Sequence, residues 1–124
     1  MNDCVFCNID KSRIEIENDL ALSFKDLYPV TEGHTLVIPK RRVQSFFELS
    51  SNEKKAMFEL LESQKQDLQI KDKRITGFNI GINDGQDAGQ TVMHCHIHLI
   101  PRRKGDMKDP RGGVRGVIPG KQSY

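Results

Sequence analysis

The run Thr91-Val-Met-His94-Cys95-His96-Ile97-His98-Leu99-Ile100-Pro101 constrains this chain more than any other stretch. Three of the four histidines fall in it, at every second position. Cys95, Ile97 and Leu99 interleave with them, and Pro101 closes the run. Such alternation is the pattern of a strand with one buried face, because successive side chains point to opposite sides. As a strand, the run sets three imidazoles on one face, about 6.5–7 Å apart. As a helix it would scatter them around the circumference. A row of imidazoles facing a common space has three explanations. It is a solvated surface, a metal site in which a His-x-His pair supplies two nitrogen ligands, or a nucleophilic site whose neighbours fix the tautomer and meet an anionic substrate. The first suits a lone histidine better than three in register.

The 124 residues are expected to form one domain, 1–124, large enough to bury roughly two thirds of the unfolded surface. A net charge of +2 with acids and bases interspersed gives no reason to expect nucleic acid or a membrane surface as partner. No apolar run approaches the ~18 residues of a membrane span. Met1-Asn-Asp-Cys-Val-Phe-Cys lacks the basic and long apolar segments of a signal peptide. Three cysteines without a disulfide framework point to a reducing compartment, and a cytoplasmic location is expected.

Cys4-Val-Phe-Cys7 is half a zinc site, a redox pair, or two small buried hydrophobes in a turn, and the motif alone does not separate these. Arg13–Glu17 alternates and Leu20–Lys25 is apolar, with Asn18-Asp19 as a hairpin turn between two strands. Asp26 stands at the second strand's end, and the β-branched run His34–Pro39 reads as a third strand. Ser50 and Glu53 have capping-box spacing. Behind them Met57, Leu60, Leu61 and Leu68 mark the core stripe of an amphipathic helix of about 20 residues. Ile75–Ile82 is a fourth strand, and the Gly-rich loop Asn83–Gln90 leads into the histidine run. Its glycines have neither Walker A nor dinucleotide spacing. The basic, Gly- and Pro-rich segment 104–124 reads as an extended C-terminal tail, either a flexible end or an arm wrapping its own or a partner subunit. Strands and one long helix that are segregated rather than alternating give an α+β class with a mainly antiparallel sheet.

Phosphate is a substrate group these residues can serve. Gln90, Thr91 and Asn83 border the histidine face and are neutral donors for phosphate oxygens. Neutral imidazole attacks phosphorus near neutral pH, and a covalent phospho-histidine splits one displacement into two. Zinc chemistry on the same strand needs a third ligand and a nearby base, and no His-Glu-x-x-His is present.

The segment His94-Cys-His96-Ile-His98-Leu-Ile resembles the His-φ-His-φ-His-φ-φ pattern, φ being apolar, of the histidine triad (HIT) family. The similarity extends to Gly33–Pro39, to Asn83–His94 and to Leu20–Asp26, so that it covers most of residues 3–103. Ala88-Gly-Gln-Thr-Val92 and Pro101-Arg102 look most like the fragile-histidine-triad branch of dinucleoside polyphosphate hydrolases. The resemblance implies a HIT-like α+β fold with one long and one short helix, a homodimer, and a nucleotidyl hydrolase or transferase that needs no cofactor and releases a nucleoside monophosphate. It implies that His96 attacks the α-phosphorus, that His98 contacts the α-phosphate, and that His94 orients the nucleophile or helps the leaving group. His34 is implied as a buried orienting residue. Asp26 is implied on the ribose hydroxyls, with Asn83, Gly89, Gln90, Thr91 and Val92 as further substrate contacts.

Zinc-containing members of this family join an N-terminal Cys-x-x-Cys to the first triad histidine and to a histidine shortly after Ile-Pro-Lys. Here Cys4, Cys7 and His94 are in place, but the fourth position is Arg42, which cannot ligate zinc. The tetrahedral site is therefore expected to be incomplete. Two rival readings remain at this point: a zinc-dependent hydrolase on the His-x-His strand, and a nucleotide-binding or sensing module without catalysis.

Overall fold

In a computed structural model, residues 4–124 are described. Met1, Asn2 and Asp3, part of the stretch read above for a signal peptide, lie outside the described residues. Five strands, β1 (Ile14–Glu17), β2 (Ala21–Lys25), β3 (Thr35–Pro39), β4 (Ile75–Gly81) and β5 (Ile97–Arg103), form one sheet in the order β1-β2-β3-β5-β4. All neighbours are antiparallel. The single α-helix, α1 (Ser51–Lys71), joins β3 to β4, and the expected short helix is represented by 3-10 turns.

Local chemistry places each element. Asn18 closes the β1–β2 turn by accepting from the Leu20 and Ala21 amides at 3.2 and 2.9 Å. Ser50 and Glu53 make the reciprocal capping box at the start of α1, and Arg41 grips the Glu53 carboxylate at 2.8 and 3.0 Å. That guanidinium holds the Glu53 carboxyl down to about 2. At the other end the Asp72 amide caps the Leu68 carbonyl at 2.9 Å, and the Asp72 side chain turns to accept from the Arg74 amide.

The sheet is two-faced. Val37 of β3 and Ile97 of β5 are cross-strand partners, and they pack with Met57 and Leu60 of α1 into the larger core cluster. The alternate residues Phe24, Leu36 and Ile38 form a second cluster on the opposite face, closed by Phe6 and Ile9. Burial on both sides explains why all five residues of β3 are inaccessible.

The histidine run departs from its expected extent at both ends. Strand geometry starts only at Ile97, because residues 91–96 run irregularly, with a bend over 92–94, and are held by other partners, among them the Cys95 amide donating to the Val43 carbonyl. Pro101 does not end the strand; β5 runs through it to Arg103, with Pro101 opposite Phe78 of β4. The segment after β5 turns back to place a 3-10 turn, Gly113–Val117, against β4. Among the described residues no helix is long and apolar enough to cross a membrane.

Met57 is fully buried beneath the larger cluster. Met57→Ala is expected to lower unfolding free energy by about 2–5 kcal/mol, read from urea denaturation against the wild type.

A candidate active site of four linked histidines

Sheet register assembles the site on the face turned away from α1. Cross-strand partners share a face, and Leu22 pairs with Ile38, Phe24 with Leu36, and Leu36 with His98. The same parity carries His34 and Asp26, just outside β3 and β2, onto that face. There the Asp26 amide donates to the His34 carbonyl at 3.0 Å, and the Asp26 carboxylate stands 3.5 Å from His34 Nε2. Gly33 sets the entry of β3 for a steric reason. Its φ is +93°, and a Cβ there would meet Leu68 at 3.1 Å and Pro101 at 3.4 Å.

Hydrogen bonds then assign every ring a tautomer. The Val30 amide donates to His34 Nδ1 at 3.0 Å, so the His34 proton sits on Nε2, 2.9 Å from His98 Nδ1. His98 accepts there and carries its own proton on Nε2, which is fully buried with no protein partner among the described residues. His96 Nδ1 lies 2.8 Å from the His94 carbonyl, which can only accept, so Nδ1 bears the proton and Nε2 keeps its lone pair. His94 likewise donates from Nε2 to the Pro39 carbonyl at 2.7 Å. Its Nδ1 lone pair faces the sulfurs of Cys4 and Cys7 at 3.3 and 3.6 Å.

The row is thus bent at His94. The His96 and His98 rings lie side by side, centroids 5.1 Å apart, whereas the His94 ring is wholly buried against the Cys4–Cys7 turn. Burial, reinforced by His96 and His34, pushes His98 down to about 4. His34 is lowered by burial against the opposing pull of Asp26, and His94 by burial against the Pro39 carbonyl. The three rings are therefore neutral near pH 7, which is the state the relay of single protons requires.

A cleft of about 900 Å³ opens beside this cluster. Asp26, His34, His98 and Asn83 line one part of it, and Asn79, Arg102 and residues of the 113–117 turn line another. His96 is not on its wall; the Phe6 ring meets His96 edge-on at 5.0 Å. Thr91 is exposed and Val92 half-buried at the foot of the Gly-rich loop, with Gly89 in the left-handed region at φ +95°. Gln90 is buried, and its amide is already engaged: Oε1 accepts from Gly85, and Nε2 donates to the Gln44 and Val92 carbonyls. Its side chain braces the loop. Asp84 anchors the same loop by accepting from the Phe46 amide and the Ser45 hydroxyl.

Sequence reasoning left out Phe6 and Asn79, and for the tail it left open a flexible end or an arm, of which the structure shows an arm folded against its own chain. Phe6 stands inside the Cys-x-x-Cys, so that motif was the available signal. Nothing in the Gly- and Pro-rich tail marks it as a cleft wall.

Cys4, Cys7 and His94 form a cluster capable of coordinating a metal ion, their ligand atoms all within 4.8 Å of one another. The two sulfur–nitrogen separations bracket the ~3.5 Å edge expected between these ligands around tetrahedral zinc. A fourth protein ligand is absent from the cluster among the described residues. The positive charge of Arg42 instead bears on both Cys7 and His94. Among the described residues the side chains do not complete a closed four-ligand zinc site.

The HIT domain family model matches residues 8–105. The chain is 40% identical over 102 residues to the nitrilase and fragile histidine triad fusion protein NitFhit of Caenorhabditis elegans. That alignment covers 82% of this chain and 23% of the relative, so the chain spans under a quarter of that protein's length. A crystal structure of a zinc-bound histidine triad family protein from Mycobacterium smegmatis superposes with a TM-score of 0.77 at 34% identity, covering 86% of this chain and 80% of the other. The crystal structure of Plasmodium falciparum diadenosine triphosphate hydrolase in complex with cyclomarin A gives a TM-score of 0.70 at 32% identity, covering 82% and 68%.

Two outcomes follow from the neutral rings and the three-ligand cluster. The unfolded chain binds protons more readily than the folded one at His34, His94 and His98, so their contribution is complete above pH 6.5 and is lost as pH falls through the folded value, about 4 for His98. The urea midpoint is expected to fall from pH 6.5 downward, and His98→Asn to flatten that slope; an equal slope in both proteins would contradict it. Arg42→His is expected to raise zinc affinity well above wild type, measured by chelator competition with metal analysis.

Proposed function

The chain belongs to the HIT domain family, and on that footing we propose that it is a nucleotidyl hydrolase or transferase acting on the α-phosphate of a nucleotide through a nucleotidyl-His96 intermediate. The observation that carries the reading is the adjacency of two imidazole rings, centroids 5.1 Å apart, whose Nε2 atoms are in opposite states. His96 Nε2 keeps a lone pair, and the neighbouring His98 Nε2 holds a buried proton without a protein acceptor. One is suited to attack phosphorus and the other to donate to a phosphoryl oxygen.

In this mechanism His96 Nε2 forms a bond to the α-phosphorus while the bond to the leaving-group oxygen or nitrogen breaks and the leaving group takes up a proton. Water then displaces His96 from phosphorus and gives up one proton to the solvent, replacing the one the leaving group took, so that the nucleoside monophosphate leaves and the ring is neutral again. The His94 carbonyl holds the His96 Nδ1 proton and stabilises the cationic ring that forms. His34 keeps His98 in the donating tautomer. Asp26, at the mouth of the cleft, receives the ribose hydroxyls. The loop from Asn83 to Val92, braced by Gln90, offers Thr91 and the backbone around Gly89 to phosphate oxygens.

Dinucleoside polyphosphates are the favoured substrates, with nucleoside phosphoramidates and anhydrides next. Similarity to the diadenosine triphosphate hydrolase supports this order. The reading includes a single domain over 1–124 and a homodimer. The outer strand β4, paired with β5 on one side only, supports the dimer. One observation favours a second reading, a nucleotide-binding module with little turnover: Phe6 packs on His96, and the cleft stops short of that ring.

His96→Ala is expected to lower kcat by about 10⁴-fold or more while nucleoside monophosphate still binds. Stopped mixtures of the wild type should yield a peptide containing His96 with added nucleotidyl mass. Near-normal rates in the variant would refute the covalent route. Binding without hydrolysis of any nucleotide in a substrate panel would favour the second reading.

A further inference from the structure

The Cys4–Cys7 turn is tied to the site by three contacts. The Cys7 amide donates to the Cys4 carbonyl at 3.2 Å, a turn that keeps the two Cα atoms within about 7 Å, near the span a disulfide bridges. Both sulfurs face His94 Nδ1, and the carbonyl of that residue holds His96. Phe6, between the cysteines, meets His96 at 5.0 Å and Phe24 at 5.3 Å. Among the described residues the cluster has no fourth protein ligand, and the charge of Arg42 bears on Cys7, so these side chains do not by themselves close a metal site. Cys7 is half-buried, its thiol raised by burial and by Cys4 with Arg42 pulling the other way. The remaining cysteine, Cys95, is sealed in the core with no neighbouring thiol among the described residues.

We propose that Cys4 and Cys7 form a dithiol site that exchanges with small-molecule disulfides, and that closing the Cys4–Cys7 bridge re-seats Phe6 against His96. Cys7, the more accessible, gives up its proton and attacks one sulfur of the small disulfide, expelling the first small thiolate. Cys4 then loses its proton and attacks the Cys7 sulfur, expelling the second. Two protein S–H groups become one S–S bond, and the small disulfide is reduced to two thiols. Drawing the sulfurs together to about 2.05 Å takes both S–H donors from His94 Nδ1 and tightens the turn that carries Phe6.

The inference rests on the proposed function only for the consequence of moving His96, and its test does not need turnover. Full-length protein labelled with ¹⁵N-histidine is incubated with oxidised glutathione, then with dithiothreitol. The expected result is an intramolecular disulfide mapped to Cys4 and Cys7, with Cys95 alkylatable after unfolding. Ring resonances of both His94 and His96 should shift with oxidation and return on reduction. In Phe6→Ala, or in Phe6→Leu if the alanine variant does not fold, the His94 shift should persist and the His96 shift should vanish. Cys7→Ser should show neither. Thiols that remain reduced, or a bridge that forms while His96 stays still, would overturn the proposal. An His96 shift that survives both Phe6 substitutions would also overturn it. A failed substrate panel with these shifts intact would count against the hydrolase reading alone.

Discussion

The short bond between the His94 carbonyl and His96 Nδ1 is the interaction on which the rest of the site depends. A carbonyl cannot donate, so this one contact decides where the His96 proton sits and leaves the opposite nitrogen basic. The bond forms because residues 94–96 leave strand geometry, folding the His94 carbonyl back over the ring two residues later. Had the strand run through His94 as the alternation suggests, that carbonyl would have been spent on a neighbouring strand. The bend is part of the chemistry.

Around it the other rings form a one-way chain of protons. The Val30 amide sets His34, His34 sets His98, and His98 is left with a buried N–H that the protein does not satisfy. A buried donor without a partner is costly to keep, by about 1–3 kcal/mol. In the proposed reaction, its position beside the His96 ring gives that strain a use, since a phosphoryl oxygen would accept the proton. Burial keeps the rings neutral, so each carries the single proton that the chain demands. The sheet supplies the rigidity: α1 covers one face through Met57 and Leu60, and the opposite face is left for the histidines.

Much of the architecture was legible in local pattern. The β-branched run before Pro39, the Asn18 turn and the Ser50–Glu53 capping box each act within a few residues, so their chemistry is written in adjacent letters. The pairing of His34 with His98 was not, because it depends on which strands are neighbours and in what register. Gln90 shows the same limit from the other side. As a residue type it suits phosphate, but the fold places its amide among three backbone partners, where it braces the loop. The reach of the tail to the cleft was equally silent, since glycine and proline report local freedom and not destination.

By itself the sequence determined the five strands, the one long helix and the presence of three imidazoles close in the chain, while the resemblance to the family was needed to see that Arg42 stands where a fourth zinc ligand would. The elements and the row follow from periodicity and capping, both short-range properties. Only the tertiary structure decided which nitrogen of each ring bears a proton, that His94 turns toward Cys4 and Cys7, and that Phe6 leans on His96. Those outcomes depend on carbonyls and side chains as many as 90 residues apart, and only the packed sheet brings them within hydrogen-bonding or contact distance.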